Sequence, residues 1–147
     1  MFKSILAAVD GSEHSFRGID VAADLAKTYG GTLTILSAYR HNSALENTHS
    51  LVRPRQELSN PDTAMHDYTK EVVARAVEYV RDQHGVTAEG YVRRGQPART
   101  IVAVAKELSA DTIVLGSRGL GDIGSFLLGS VSHKVTSMAE CTTITVK

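Results

Sequence analysis

Two glycine pairs near the carboxyl end of the chain have the spacing of a phosphate-binding turn. The segment Gly116-Ser-Arg-Gly119 is followed by nine residues and then by Gly129-Ser130. Glycines at a strand end let the backbone turn sharply and approach a ligand without a Cβ in the way. A Gly-Ser pair that opens a helix offers free N–H groups and a hydroxyl where an anion can bind. The pattern therefore predicts a loop that surrounds the phosphates of a nucleotide.

A second polar turn follows the first apolar run of the chain. Residues 2–9 end in Asp10-Gly11-Ser12, a turn signal. An Asp before Gly is often only a turn-former, but the glycine pattern favours a site role for Asp10 as well. Ligands of open parallel sheets bind beyond the carboxyl ends of the strands, where the strand order reverses. We therefore expect Asp10 and Gly116 to meet in one crevice if the first and fourth strands are neighbours.

Five segments predict strands from apolar runs, β-branched residues or, at 86–94, a weak alternation, and they alternate with helical patterns. The predicted strands are 2–9, Thr32–Tyr39, 86–94, 111–115 and Thr142–Val146. Residues 40–61 lack any periodicity and are predicted to form a long loop, a kind of segment that is often functional. The order of elements predicts a single α/β domain over residues 1–147, in which helices cover both faces of a parallel sheet.

Four helices are predicted between the strands. The first spans 12–29 and ends at Gly30-Gly31, and the second begins with Asp62 as its cap and ends at Gly85. The third begins at Pro97, which the first turn of a helix tolerates, and the last spans 129–140. The predicted buried faces of the second and third helices are Met65, Tyr68, Val72, Ala76 and Tyr79, and Ile101, Val104, Ala105 and Leu108.

Composition and charge narrow the classes of function. The 16 Lys and Arg residues balance the 16 Asp and Glu residues, which argues against a dedicated nucleic-acid binder. No apolar stretch approaches the ~20 residues that span a bilayer, and no signal sequence opens the chain. The single cysteine, Cys141, suits a reducing compartment. We expect a cytoplasmic protein that is not an integral membrane protein.

Weaker motifs overlap the two turns. Residues 119–124 match the dinucleotide fingerprint, but they follow the fourth predicted strand rather than the first, and residues 124–130 have the Walker spacing without its lysine. Asp10, Ser12 and His14 have the residue types of a catalytic triad, yet alternate positions that enter a helix cannot readily form its relay. The six histidines are scattered and predict no structural metal.

Two segments together resemble the ATP-binding branch of the universal stress protein family. They are Ala8-Val-Asp-Gly-Ser12 and the Gly-x2-Gly-x9-Gly-Ser pattern at residues 116–130. The resemblance covers essentially the whole chain. It implies a doubly wound, Rossmann-like sheet of five parallel strands in the order 3-2-1-4-5. It also implies a two-fold homodimer through the last strand, Thr142–Val146.

The resemblance also implies a role for each matching position. Ala8, Val9 and Asp10 would line the adenosine pocket, with the Asp10 carboxylate near the ribose or adenine, and the Ala38 backbone would meet the adenine edge. The ribose and phosphate contacts would be Leu115, Gly116, Arg118 and Gly119. The phosphates would bind at a helix N-terminus formed by Gly129, Ser130, Val131 and Ser132. The implied ligand is ATP or AMP, with Mg²⁺ or Mn²⁺ as an offsetting cation, and a cyclic nucleotide stays open.

Three functions follow as hypotheses. The first is a stress-response or regulatory protein that senses adenine nucleotide through its dimer or a partner. The second is a slow ATP hydrolase, for which Asp122 is the available base; no other catalytic residue is assigned. The third is an interaction module in which the nucleotide is structural and the segment 40–61 docks a partner, by analogy a membrane transporter.

Overall fold

Strands and helices alternate along the chain in the computed structural model, which describes residues 1–40, 61–119 and 128–147. The strands are β1 (Ser4–Ala8), β2 (Thr32–Tyr39), β3 (Ala88–Arg94), β4 (Thr112–Gly116) and β5 (Thr142–Val146). The helices are α1 (Glu13–Tyr29), α2 (Pro61–His84), α3 (Pro97–Glu107) and α4 (Ser130–Met138). The predicted order of elements is confirmed. In the described ranges, no helix is both long and apolar enough to cross a membrane.

The five strands form one parallel sheet in the order β3-β2-β1-β4-β5, which confirms the predicted topology. The chain runs outward from β1 to β3 on one side and then returns to add β4 and β5 on the other. The strand order therefore reverses between β1 and β4, where Ala8 lies opposite Leu115. A crevice opens beyond the carboxyl ends of such a strand pair. Asp10 and Gly116 flank this crevice, as expected.

The sheet is buried on both faces, as both faces of a doubly wound sheet must be. Ile5 and Val114 pack with α1 and α2, whereas their neighbours Leu6 and Ile113 pack with α3 and α4. Alternate residues of one strand thus serve opposite cores. This explains why the central strands read as continuous apolar runs.

The helix ends follow local signals in the sequence. The Ser12 hydroxyl accepts a hydrogen bond from the Ser15 N–H at the start of α1, and Gly30 ends this helix in the left-handed region at φ 62°. At the start of α3, the Gln96 side chain accepts from the Arg99 N–H and Pro97 occupies the first turn. The predicted roles of Gly30 and Pro97 are confirmed.

Helix α2 differs from its prediction in two ways. It begins at Pro61, so Asp62 lies in its first turn and is not its cap. Val72 and Ala76 are buried as predicted, but Met65 and Tyr68 are exposed. The buried face turns instead towards Thr69, Val73 and Val80. The predicted loop is also one residue too long at Pro61, and its residues 41–60 lie outside the described part of the chain.

The reason for the rotated face lies in the neighbouring strand. Gly90 of β3 has no side chain, and a Cβ built there would come within 2.6 Å of Val73 Cγ1. The glycine therefore leaves room for Val73 to pack directly on the sheet. This contact depends on a residue 17 positions further along the chain, which the helical period alone cannot reveal.

Asp111 joins the amino ends of the two central strands. Its Oδ2 accepts hydrogen bonds from the backbone N–H groups of Lys3 (2.8 Å) and Ser4 (3.3 Å), and its Oδ1 accepts from the Thr112 hydroxyl (2.8 Å). Partial burial favours the neutral acid, but these donors favour the carboxylate more strongly. The pKa of Asp111 is therefore lowered from 3.8.

We expect Asp111→Asn to reduce the free energy of unfolding by about 1–2 kcal/mol near neutral pH, since hydrogen bonds to a charged acceptor contribute roughly 1.5–3 kcal/mol when well formed. A carboxyl whose pKa is lowered in the folded state stabilises the fold above its unfolded pKa and loses this effect as the pH falls through the folded pKa. The difference between wild type and variant should therefore shrink below about pH 4.

Urea unfolding of both proteins at neutral and acidic pH measures this difference. Asp67→Asn serves as the control, because the Asp67 side chain is 70% exposed. If the Asp111 variant were as stable as wild type at neutral pH, the proposed tie between the two strands would be wrong.

Candidate functional site

A pocket of about 150 Å³ lies beyond the carboxyl ends of β1, β2 and β4. Helix α3 closes one side, and the start of α4 closes another. All twelve predicted site residues fall in the described ranges, and all but Ser130 line the pocket. These residues are Ala8, Val9, Asp10, Ala38, Leu115, Gly116, Arg118, Gly119, Gly129, Val131 and Ser132. Topology thus brings together positions that are more than one hundred residues apart in sequence.

Asp10 combines the two roles that its sequence position allows. Its Oδ1 accepts the Ser12 N–H at 2.9 Å, which is an Asx turn leading into α1. The Ser15 hydroxyl accepts the Asp10 N–H at 3.4 Å and donates to the Ser12 carbonyl at 2.8 Å. Asp10 also lines the pocket, so the turn fixes where its carboxylate stands.

Asp10, Ser12 and His14 do not form a relay in the described part of the chain. The Ser12 hydroxyl accepts from the Ser15 N–H as a helix cap, and the buried Nδ1 of His14 has no hydrogen-bond partner among the described residues. A relay needs the base bonded to both the nucleophile and its orienting acid. The geometry agrees with the alternate spacing, which indicated no relay.

Gly116 is required by packing against α1, a reason that differs from the one predicted. A Cβ built at Gly116 would lie 2.6 Å from the His14 carbonyl carbon and 2.8 Å from the Ser15 nitrogen. These are backbone atoms, which cannot rotate out of the way. The glycine thus lets the end of β4 lie directly against the first turn of α1, besides lining the pocket.

The two glycine pairs are tied together through Ser117. Its carbonyl oxygen accepts the Gly129 N–H at 2.6 Å, and the Ser132 hydroxyl lies 2.9 Å from the same oxygen. The Ser117 N–H donates to the Val146 carbonyl at the end of β5, at 2.7 Å. The turn between β4 and α4 is therefore closed at its base by one peptide segment.

At the start of α4, Ser130 lies apart from the other predicted site residues. Gly129 is the N-cap, and Ser130 is the first helical residue, exposed and outside the pocket lining. Its role at the phosphates stays a prediction. The helix ends at Met138, two residues before the predicted end at 140. The backbone N–H groups of this first turn lie beyond the reach of intrahelical acceptors.

The pocket lining combines apolar side chains with polar and charged groups. Leu36, Ile101 and Leu115 are buried apolar residues of the lining. Arg118 and the first turn of α4 also belong to it and supply positive charge and N–H donors. The helix dipole adds about 0.3–1 kcal/mol for an anion at such a terminus. This arrangement suits a flat, mostly apolar group attached to an anion.

Four pocket residues escaped the sequence prediction: Ser15, Leu36, Pro97 and Ile101. Leu36 could have been found, because it lies two residues before Ala38 and so shares its face of β2. Pro97 and Ile101 are one helical turn apart on α3, and their position follows from the crossover between β3 and β4. Asp122 lies outside the described ranges. The dinucleotide and Walker motifs also extend into residues 120–127, which the structure does not describe.

A doubly wound sheet with a pocket of this make-up at its switch point is typical of α/β ligand-binding proteins. The universal stress protein family matches residues 1–147. The chain therefore belongs to the universal stress protein family. The universal stress protein YxiE of Bacillus subtilis (strain 168) is 34% identical over 151 residues, with full coverage of both chains.

Solved structures of the family share the fold. UspA from Lactobacillus plantarum superposes with a TM-score of 0.80 at 23% identity, over 99% of this chain and 98% of that one. A universal stress protein in complex with cAMP has a TM-score of 0.71 at 24% identity, over 98% and 95% of the two chains. One from Archaeoglobus fulgidus in complex with dAMP has a TM-score of 0.70 at 22% identity, over 98% and 97%.

Gly116→Ala should destabilise the fold itself. We expect a loss of about 2–3 kcal/mol, because the added methyl group meets backbone on α1 and overpacking of this kind costs about 1–3 kcal/mol or more. Gly30→Ala is the matched control, since an added Cβ there meets no atom within 4 Å. Its expected loss of stability comes only from the left-handed backbone and is about 1 kcal/mol. Chemical denaturation compares the two. A Gly116 variant no less stable than the Gly30 variant would contradict the packing role.

Proposed function

We propose that this universal stress protein binds an adenine nucleotide in the pocket at the β1–β4 switch point and acts as a regulatory protein in the stress response. The observation that carries the proposal is the composition of that pocket. Its lining includes buried apolar side chains together with Arg118 and the first turn of α4. The cAMP and dAMP complexes of proteins with the same fold support an adenine nucleotide as the ligand.

We propose one orientation for the nucleotide in the pocket. Adenine lies between the walls formed by Val9, Leu36 and Ile101, with its edge at the Ala38 backbone. The ribose lies near Asp10, whose carboxylate oxygens accept hydrogen bonds from hydroxyls. The phosphates lie at Arg118 and the first turn of α4, where cations and N–H donors gather.

ATP and AMP differ in how much negative charge this end must balance. Arg118 and the helix terminus suit one phosphate, and a triphosphate calls for a further cation. We propose that Mg²⁺ or Mn²⁺ accompanies ATP and is held mainly by the phosphates. In the described ranges, no three His, Cys, Asp or Glu side chains gather as a metal site. The chain then acts mainly by holding the nucleotide, in the cytoplasm, where adenine nucleotides are abundant.

We propose that nucleotide binding acts through a homodimer that forms along β5. This strand is the last in the sheet order and pairs with β4 on one side. A sheet edge presents N–H and C=O groups that another strand can pair with. The Ser117 N–H donates to the Val146 carbonyl at the end of this strand. Both sequence neighbours of Ser117 line the pocket. In the alternative, nucleotide binding acts on a regulated partner protein, such as a membrane transporter.

Arg118→Ala should weaken ATP binding about tenfold while leaving adenosine affinity within about twofold. A charge-assisted hydrogen bond contributes roughly 1.5–3 kcal/mol, and each 1.4 kcal/mol is a factor of ten in affinity. Arg75→Ala is the control, because Arg75 is an exposed arginine on α2 paired with Glu71. Isothermal titration calorimetry with magnesium present measures both ligands. Equal losses for adenosine and ATP would contradict a phosphate role for Arg118.

Thr143→Asp on β5 should shift the protein from dimer to monomer. In a two-fold interface the same surface is used by both subunits, so the substitution puts two added carboxylates into one interface, where strand pairing would have to desolvate them. Ser137→Asp adds the same charge on the exposed side of α4 and should leave the dimer intact. Sedimentation velocity over a range of concentrations reads the outcome. A wild-type chain that stays monomeric throughout would refute the dimer.

A further inference from the structure

Ser132 belongs to the turn between β4 and α4, where the phosphates are proposed to bind. Its contacts differ from the phosphate contact that the family resemblance implies. The side chain lies at the base of the turn, and the residue is only 2% exposed. Its hydroxyl oxygen is 2.9 Å from the Ser117 carbonyl oxygen and 3.0 Å from the Gly129 carbonyl oxygen. A hydroxyl has one proton, and both of these neighbours in the described part of the chain are carbonyl acceptors. The proton is therefore donated within the protein and is not available to a phosphate oxygen.

Ser117 is the residue on which the turn closes. Its carbonyl accepts the Gly129 N–H at 2.6 Å as well as the Ser132 hydroxyl, so both lone pairs are used. Gly129 is the N-cap of α4, and its own carbonyl accepts the His133 N–H as the first helical bond. The Ser132 hydroxyl thus joins the strand end to the first turn of α4, across the gap that the phosphates would occupy.

We infer that Ser132 is a positioning residue for the phosphate site rather than a phosphate ligand. This inference rests on the proposed nucleotide function. The hydroxyl holds the α4 N-terminus against the end of β4, so the backbone N–H groups of Val131 and its neighbours already face the pocket before a phosphate arrives. A site whose donors are fixed in advance binds more tightly, because less conformational entropy is lost on binding.

The test uses Ser132→Ala in the full-length chain without nucleotide. We expect the Gly129 amide to exchange with solvent about tenfold faster in this variant, because its acceptor carbonyl is no longer held in place. The Gly85 amide, which donates to the Arg81 carbonyl at the end of α2, serves as an internal reference that should not change. Amide exchange followed by NMR reads both positions in one sample.

Binding provides the second measurement. Ser132→Ala should weaken AMP about tenfold and leave adenosine, which lacks a phosphate, within about twofold. Ser137→Ala is the matched control, since its hydroxyl also donates to a carbonyl of α4 but lies in the exposed last turn. Ser132→Cys keeps the side-chain size with a weaker donor and should fall between alanine and wild type in both measurements.

Each outcome decides the inference. Faster Gly129 exchange together with weaker AMP binding supports a positioning role. Unchanged exchange with weaker AMP binding would make Ser132 a direct phosphate ligand, and faster exchange with unchanged AMP affinity would make it purely structural; both overturn the inference. If Ser132→Ala fails to fold, Ser132→Cys is judged by the same rules. If the wild-type chain binds no nucleotide, the proposed function fails, while the exchange data still decide whether the hydroxyl holds the turn.

Discussion

The end of β4 lies against the first turn of α1 with no room for a side chain at Gly116. A Cβ there would come within 2.8 Å of backbone atoms of both His14 and Ser15. This approach aligns the turn after β1 with the turn after β4, so that Asp10 and Arg118 border the same pocket. Every other feature of the site depends on that alignment. The parallel pairing of β1 with β4 makes it possible, and the absence of a Cβ at Gly116 makes it close.

The second constraint is a short chain of hydrogen bonds centred on Ser117. Its N–H reaches Val146 on the edge strand, and its carbonyl reaches Gly129 at the start of α4. The same residue therefore borders both the pocket and the strand on which dimerisation is proposed. The hydrogen bonds of one residue thus connect the start of α4 with the sheet edge.

Much of this fold could be predicted because the signals are local. The apolar run at β2, Thr32–Tyr39, and the stop at Gly30 each depend on residues within one element, and both were confirmed. The pocket positions could be predicted because the glycine spacing and Asp10 mark strand ends, and strand ends of neighbouring strands meet. Pattern and topology together were enough to name all but four of the lining residues.

The errors fall where a residue's role is set by a distant partner. The buried face of α2 depends on the space above Gly90, which no helical period contains. Two further contacts could not be predicted for the same reason: Gly116 packs against α1, and the Ser132 hydroxyl lies 2.9 Å from the Ser117 carbonyl, 15 residues earlier in the chain. Ser130 lies outside the pocket lining although its neighbour Gly129 belongs to it, because one step along a helix rotates a side chain by about 100°.

Nucleotide recognition at the switch point can be observed residue by residue. Titration of the ¹⁵N-labelled chain with AMP should shift the amide resonances of Gly119, Gly129 and Val131 at the phosphate end and of Ala38 at the adenine edge. The amides of β3 and the carboxyl half of α2, which lie away from the pocket, should stay in place. Resonances that remain unchanged at saturating AMP, or that shift only outside the pocket, would contradict an adenine-nucleotide site there.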